Sequence, residues 1–281
     1  MELNVVATPE DGDFRRFVTI CDDDAQWTPV YQKKAVRVFS RPLSSSAVSS
    51  VRMIKATSEF RDVAAELLYD VIHDDAYRKE WDKFMIASTT IGLVNPNNDL
   101  CYYAVRSPAP LKCRDFVFQR SWLDMGKEMV VFSHSVCHDD YPPQKGYIRG
   151  INHLTGYLIR STGATACKVT YFAHCDPKGH IPTWLVNRCT QILAPKVLKR
   201  LHKACVHYDT WKSANSPDWK PWLRPDQLVD MARVDLSKCR PRDYGTTMDE
   251  EEEDGVKLSE TDVKLERFGG VEDNGDDDDD D

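Results

Sequence analysis

Seven strand-like stretches crowd residues 85–174, at 85–93, 100–106, 116–122, 129–137, 147–153, 156–161 and 167–174, and they constrain this chain more than any other feature. Each is rich in β-branched and aromatic residues. Between them lie NPNND, SPAPLK, DMGK, DYPPQKG and STGATA, which carry the Pro, Gly or Asn that turns require. None of these connections is long enough for the crossover that parallel neighbours need, so the sheet is expected to be antiparallel.

Upstream, residues 11–24 read as a short helix with Phe14, Phe17, Val18 and Cys21 on one face and Asp11 or Asp13 as cap. Strand signals follow at 27–32, 36–40 and 51–57. Asp62 is then placed to cap a helix whose buried stripe is Ala64, Leu67, Leu68, Val71 and Ile72. The segment DDAYRKEWD reads as a further helical turn.

Downstream, residues 176–211 read as one long helix, with Pro182 in its first turn and a kink expected around Pro195, where a backbone donor is missing. Leu185, Val186, Cys189, Ile192 and Leu193 make one apolar stripe, and Val197, Leu198, Leu201, Ala204, Cys205 and Tyr208 a second. Opposite the second stripe lie Lys196, Lys199, Arg200, Lys203 and His207. That face is either a solvated surface or, with Trp184, one that meets an anionic membrane. Helix, strands, helix, many strands and a long last helix define an α+β chain with one core and room for a hollow between sheet and helix.

Composition divides the chain further. Of the net charge of −8, residues 235–281 contribute 19 acidic against 6 basic side chains, so residues 1–234 carry a net +5. The expected parts are an N-terminal extension (1–10), the folded domain (11–213), a Pro- and Trp-containing linker on the surface (214–242) and an acidic tail (243–281). The tail is expected to be disordered because it lacks apolar area to bury. Nine cysteines without C-x-x-C spacing, no glycosylation sequon, no signal sequence and no apolar run of membrane-spanning length point to a cytoplasmic, reducing setting.

Few residues combine into chemistry. Arg78 and Asp82 stand one helical turn apart, flanked by Tyr77 and Trp81. A guanidinium held there suits a phosphodiester, with Asp82 as its partner when no ligand is bound. Tyr103, Phe116 and His153 are aromatics on strands, either core or the walls of a cage for an ammonium group. Catalytic signatures such as G-x-S-x-G, a P-loop, G-x-G-x-x-G or H-E-x-x-H are missing from the sequence. His202, Cys205 and His207 project in divergent helical directions, so no metal site is expected. The modest positive charge lacks exposed aromatics between its cations, which argues against nucleic acid.

HDDAYRKEWD, SPAPLKCRDFVF, RSWLDMG, YPPQKG, TGYLIRSTG and DPKGHIPTWLVN occur here in order. Together they resemble the START (steroidogenic acute regulatory protein-related lipid transfer) domain of the phosphatidylcholine transfer protein subgroup, over about residues 14–211. The resemblance implies a helix-grip fold, a curved antiparallel sheet around the last helix with a lipid-sized tunnel. It makes Arg78 the phosphate-binding arginine, Asp82 its carboxylate, and Tyr103, Phe116 and His153 the headgroup cage. In the subgroup pattern the cage positions are Trp, Tyr and Tyr, and a phosphate-binding Tyr stands where this chain has Ile72. These departures thin the cage and bring a primary ammonium, as in phosphatidylethanolamine, beside phosphatidylcholine as a candidate headgroup.

The expected function is therefore transfer of one glycerophospholipid between membranes by a monomeric carrier, with the lipid as cargo, no cofactor and transient contact with anionic membrane. Alternatives are a lipid-gated interaction module and an acyl-CoA thioesterase-type enzyme. In the tail Thr246, Thr247 and Ser259 each have an acidic residue three positions on, the pattern acid-directed kinases favour.

Overall fold

The computed structural model describes residues 2–42, 51–179, 181–245, 247–254 and 263. In chain order the elements are α1 (Asp11–Asp22), β1 (Thr28–Lys33), β2 (Val36–Pro42), β3 (Arg52–Phe60), α2 (Ala65–His73) and α3 (Asp75–Trp81). Then come β4 (Met85–Asn95), β5 (Asn98–Val105), β6 (Cys113–Asp124), β7 (Glu128–Ser135), β8 (Tyr147–Arg149), β9 (Ile151–Gly163) and β10 (Ala166–Asp176). The helices α4 (Thr183–Ala214) and α5 (Met248–Asp254) follow. One curved sheet runs in the order β1-β2-β3-β10-β9-β7-β6-β5-β4. Antiparallel hairpins dominate, as the short connections require.

The sheet's two faces bury different partners. On one, Phe14, Phe17 and Cys21 of α1 pack against Phe132, Leu158 and Phe172. On the other, Leu198, Leu201, Ala204, Cys205 and Tyr208 of α4 pack with Leu68, Val71 and Ile72 of α2 and with Val38, Ala56, Ile159 and Val169 of the sheet. The second face is the inner, concave one. Alternation along strands assigns every residue to one face or the other. Burial of each large side chain there contributes on the order of 1.5–3 kcal/mol.

α4 has 32 residues and is continuous through the buried Pro195. Its two ends are held differently. Toward the C-terminus Tyr208 and Lys212 both reach the buried carboxylate of Asp74, at 2.9 and 2.8 Å, and Asp74 also accepts from the Tyr77 backbone N–H at 3.1 Å as the N-cap of α3. The Tyr77 hydroxyl donates to the Ala204 carbonyl at 2.9 Å. Toward the N-terminus a small apolar cluster holds the helix, in which Leu185 meets Leu111 and Val263 beside half-buried Ile181, Trp184, Cys189 and Ile192.

Several sequence expectations are corrected. The N-cap of α1 is Glu10, whose side chain and that of Asp13 form a reciprocal capping box. Asp62 does not cap α2, which starts after Ala64; its carboxylate lies 2.7 Å from His202 Nε2. Pro182 is the N-cap of α4 rather than a first-turn residue. The two stretches 147–153 and 156–161 are not two strands: β9 runs through Gly156, where a Cβ would come within 2.3 Å of the Val131 carbonyl. The remaining piece, β8, pairs with β6 in parallel, because the 136–146 loop doubles back to lie beside β7 along β6. So the sheet is not purely antiparallel.

The linker also packs more closely than its composition suggests. Trp222 Nε1 and Lys220 Nζ both donate to Asp70 at 2.6 Å, and the Trp222 ring stacks on His73 at 5.7 Å. Further on, the Val234 N–H donates to the Leu93 carbonyl and the Leu93 N–H to the Ala232 carbonyl, both at 2.9 Å, which covers the exposed edge of β4. The tail forms α5 and docks, contrary to the expectation of disorder for residues 247–254; the calls on Thr246 and Ser259 lie outside the described residues.

Removing a partner from a buried ion pair strands the other charge, so Asp74→Ala is expected to cost about 3–5 kcal/mol in urea unfolding. Asp140→Ala, whose salt bridge to Lys238 joins side chains that are 56% and 42% exposed, is expected to cost under about 1 kcal/mol. Equal losses would contradict the assignment of Asp74 as the anchor.

Candidate functional site

α3 is only seven residues long, and the sheet aims it. Arg120 of β6 donates from Nε and Nη2 to Asp99 at 3.1 and 2.6 Å and from Nη1 and Nη2 to Asp75 at 3.2 and 3.3 Å. Asp75 opens α3. With Asp74 holding the same turn to α4, the helix is pinned from both sides, and Arg78 one turn later projects over the inner face.

Arg78 is less completely partnered than Arg120. Its Nη2 donates to the Ile72 carbonyl at 3.0 Å, while Asp82 Oδ2 stands 3.8 Å from Nη1, an ion pair beyond hydrogen-bond reach. The guanidinium lies 5.4 Å from the Trp81 ring. Asp82 is instead occupied by the Tyr103 hydroxyl, which donates to Oδ2 at 2.8 Å, and by the Phe84 N–H at 3.2 Å. Arg78 keeps 18% of its side-chain exposure and Asp82 12%. A cation with spare planar donors, inside an apolar wall, is a receptor for a tetrahedral or carboxylate anion.

Electrostatics keeps the charges where this arrangement needs them. Burial works against the Arg78 cation, but Tyr157, Asp82 and Tyr103 outweigh it and its pKa is raised. Burial, with Asp82 alongside, pushes the Tyr103 phenol well above its usual range, so it remains a neutral donor. Burial likewise raises Tyr157 and Tyr171, whose rings lie 5.1 Å apart on the inner face.

Two of the three expected cage aromatics come together. Tyr103 and Phe116 are direct cross-strand partners, and the Phe116 ring fills the space a side chain at Gly150 would need. His153 does not join them. It falls in a register shift of β9 against β10, and its ring stacks on His174 at 4.3 Å. His174 alternates with Ala173 and lies on the face of Phe172, and its strand partners Leu154 and Met53 belong to the α1 cluster. The bulge turns His153 toward that outer layer. A one-residue irregularity reverses a side chain's face and leaves no mark in spacing.

Asn152 takes the inward position. Its Nδ2 donates to Ser133 Oγ at 2.9 Å and its backbone N–H to Ser135 Oγ at 2.8 Å, both on the face opposite Phe132. Its Oδ1 is buried with no hydrogen-bond partner, and so is the indole N–H of Trp81. Asn152 was not singled out from sequence, since a polar residue on a strand carries no signal until its face is known.

The cations of α4 are not equivalent. Lys199 and Lys203 are exposed, whereas Lys196 and Arg200 are half-buried, with the Arg200 guanidinium 5.2 Å from the Phe84 ring. Trp184 is half-buried in the cluster around Leu185. Thr247, described at the start of α5, uses Oγ1 to accept from the Glu250 N–H at 3.3 Å. Cys205 is buried and His207 exposed. No described helix is long and apolar enough to cross a membrane.

A curved sheet gripping a long last helix, with an under-partnered arginine on the inner face, defines a START domain. The family model for that domain matches residues 17–212, and the chain belongs to the family. It is 41% identical over 276 residues to mouse START domain-containing protein 10, covering 98% of this chain and 91% of that one. It is 31% identical over 158 residues to bovine phosphatidylcholine transfer protein, covering 55% of this chain and 73% of that one. The crystal structure of human STARD10 superposes with a TM-score of 0.78 at 42% identity, covering 83% of this chain and 94% of that one.

The His153–His174 stack has a consequence for stability. Burial, reinforced by His153 and opposed by Asp176, lowers the His174 pKa from its ordinary 6.5 to about 4; burial also lowers that of His153, with Asp176 opposing and Lys178 adding to it. Folding then favours the neutral ring, and the unfolded chain binds more protons. Stability is expected to be full above pH 6.5 and to fall as pH drops through that window toward 4. His174→Phe should flatten this fall in urea midpoints measured across the window; parallel curves for both proteins would contradict it.

Proposed function

We propose that this protein carries a single glycerophospholipid between membranes, holding the headgroup phosphate on Arg78 and the acyl chains between the inner sheet face and α4. The observation that carries this reading is the under-partnered Arg78 fork in a fold shared with phospholipid carriers. Asp82 neutralises the empty site and yields the fork to a phosphate without moving, since Tyr103 and the Phe84 N–H already hold it. Exposed Lys199 and Lys203 suit transient contact with an anionic surface.

Arg78→Ala is expected to lower phospholipid transfer between vesicles by on the order of tenfold or more, with Arg78→Lys intermediate because a point charge replaces a planar fork. Near-ultraviolet circular dichroism should be unchanged. Transfer at the normal rate by a folded Arg78→Ala protein would remove the phosphate assignment.

The headgroup preference we assign to Asn152. Phosphate at Arg78 directs the rest of the headgroup along Tyr103 and Phe116 toward Gly150 and Asn152, where Oδ1 is an unused acceptor. A primary ammonium donates to such an oxygen and a quaternary one cannot. Asn152→Leu should therefore reduce the ratio of phosphatidylethanolamine to phosphatidylcholine bound by about fivefold, the worth of one hydrogen bond near 1 kcal/mol. Native mass spectrometry of protein loaded from an equimolar lipid mixture reads the ratio directly, and an unchanged ratio would reject the role of Asn152.

A further inference from the structure

The acidic tail meets a surface shaped to receive it. Arg114, at the start of β6, is 3% exposed, and its five N–H groups are all used. Nε donates to the Pro177 carbonyl at 3.0 Å; Nη1 donates to the Lys112 carbonyl at 2.5 Å and to Glu253 Oε2 at 3.0 Å; Nη2 donates to the Lys178 carbonyl at 3.0 Å and to Glu253 Oε1. Glu253 is 2% exposed. The carbonyls satisfy three donors and cancel no charge, so this buried guanidinium depends on a carboxylate that comes from 139 residues away.

The neighbouring groups fit the same helix. The Lys112 backbone N–H donates to Glu253 Oε2 at 2.8 Å, and its ammonium reaches Asp249 at 2.6 Å and Glu252 at 2.5 Å. The Gly146 N–H donates to Asp249 Oδ2 at 3.0 Å. At Gly179 the backbone has φ +68°, and a Cβ there would lie 2.5 Å from Glu253 Oε1. The receiving surface thus combines two cations, two backbone donors and a glycine that leaves room for the carboxylate. Residues 238–242 lead the chain to it along the 136–146 loop, with Lys238 on Asp140 at 2.8 Å and Arg242 on Asp139 at 2.9 Å. Past α5, Val263 is buried against Leu111 and Leu185.

We propose that Lys112, Arg114, Gly146 and Gly179 form a docking surface for an acidic helix, that this chain's own Met248–Asp254 helix is its occupant, and that docking fastens the 106–112 loop to the lead-in of α4. Those two segments pack on the N-terminal third of α4 through Leu111 and Ile181, which meet Leu185. An anionic membrane competes with α5 for Lys112 and Arg114, so contact with the membrane undocks the helix and frees both segments. This last consequence rests on the carrier reading given above; the docking itself does not.

Hydrogen exchange of the full-length chain tests the fastening. Glu253→Gln should speed exchange of peptides covering 106–114 and 177–192 by about tenfold while leaving β3 and β10 unchanged. Glu251→Gln makes the same change in net charge on a residue whose side chain is exposed, and it should leave those peptides as they are. Equal exchange in both variants and the parent overturns the docking. Sedimentation with vesicles of phosphatidylcholine and phosphatidylserine then tests the competition. Glu253→Gln should bind several-fold more than Glu251→Gln at low salt, and equal binding overturns the membrane step. A parent protein that moves no phospholipid would instead refute the carrier reading, with the exchange result still deciding the docking.

Discussion

The Asp74 carboxylate joins parts of the chain that are far apart in sequence, and the site is built outward from that junction. It caps α3, accepts from the Tyr208 hydroxyl and pairs with Lys212 near the end of α4. Its neighbour in sequence, Asp75, is gripped by Arg120 from the sheet. Two adjacent aspartates therefore fix a helix of seven residues to both layers, something its own length could not achieve, since isolated helices this short are unstable in water. A helix held at its first turn presents Arg78 at a defined place, and that definition is what a buried anion site needs.

Three arginines on this side of the sheet show how partnering separates structure from function. Arg120 spends its donors on two carboxylates, and Arg114 spends all five on carbonyls and a carboxylate. Both are fastenings. Arg78 has one carbonyl hydrogen bond and a carboxylate beyond hydrogen-bond reach. A buried cation left in that condition is costly unless something completes it. The same reasoning applies to uncharged groups. The Tyr103 hydroxyl is already spent on Asp82, whereas the Asn152 Oδ1 and the Trp81 indole N–H are buried without a hydrogen-bond partner.

Periodic features of the chain were legible in the sequence, and features set by partners distant in sequence were not. The stripe Phe14, Phe17 and Cys21 and the stripe Leu198, Leu201, Ala204, Cys205 and Tyr208 are buried as their spacing requires. The four-residue step from Arg78 to Asp82 placed that pair correctly, because helical geometry alone brings the two together. His153 was misplaced because alternation fails at a bulge, and no residue type announces one here. Asp62 reads as a cap, yet His202, 140 residues away, claims its carboxylate. The tail misled for a further reason. Its composition forbids a core of its own, but a charged helix docks without one when a buried guanidinium elsewhere lacks a counter-ion.

The two ends of α4 are consequently held by forces that respond to different conditions. The C-terminal half rests on apolar burial and on the Asp74–Lys212 pair, which is sealed from solvent and little affected by ionic strength. The N-terminal third rests on a small apolar cluster supported by the contacts of Lys112 and Arg114 with α5. Carboxylates of the tail and phosphates of a bilayer are interchangeable to these cations in charge, though not in geometry. A surface that offers many anions at once has an advantage in effective concentration over one tethered helix only when the protein lies against it. On the carrier reading proposed above, the grip loosens at the membrane and stays closed in solution. Neither property requires α4 itself to unfold, because its anchored half supplies the fixed point about which the other half is released.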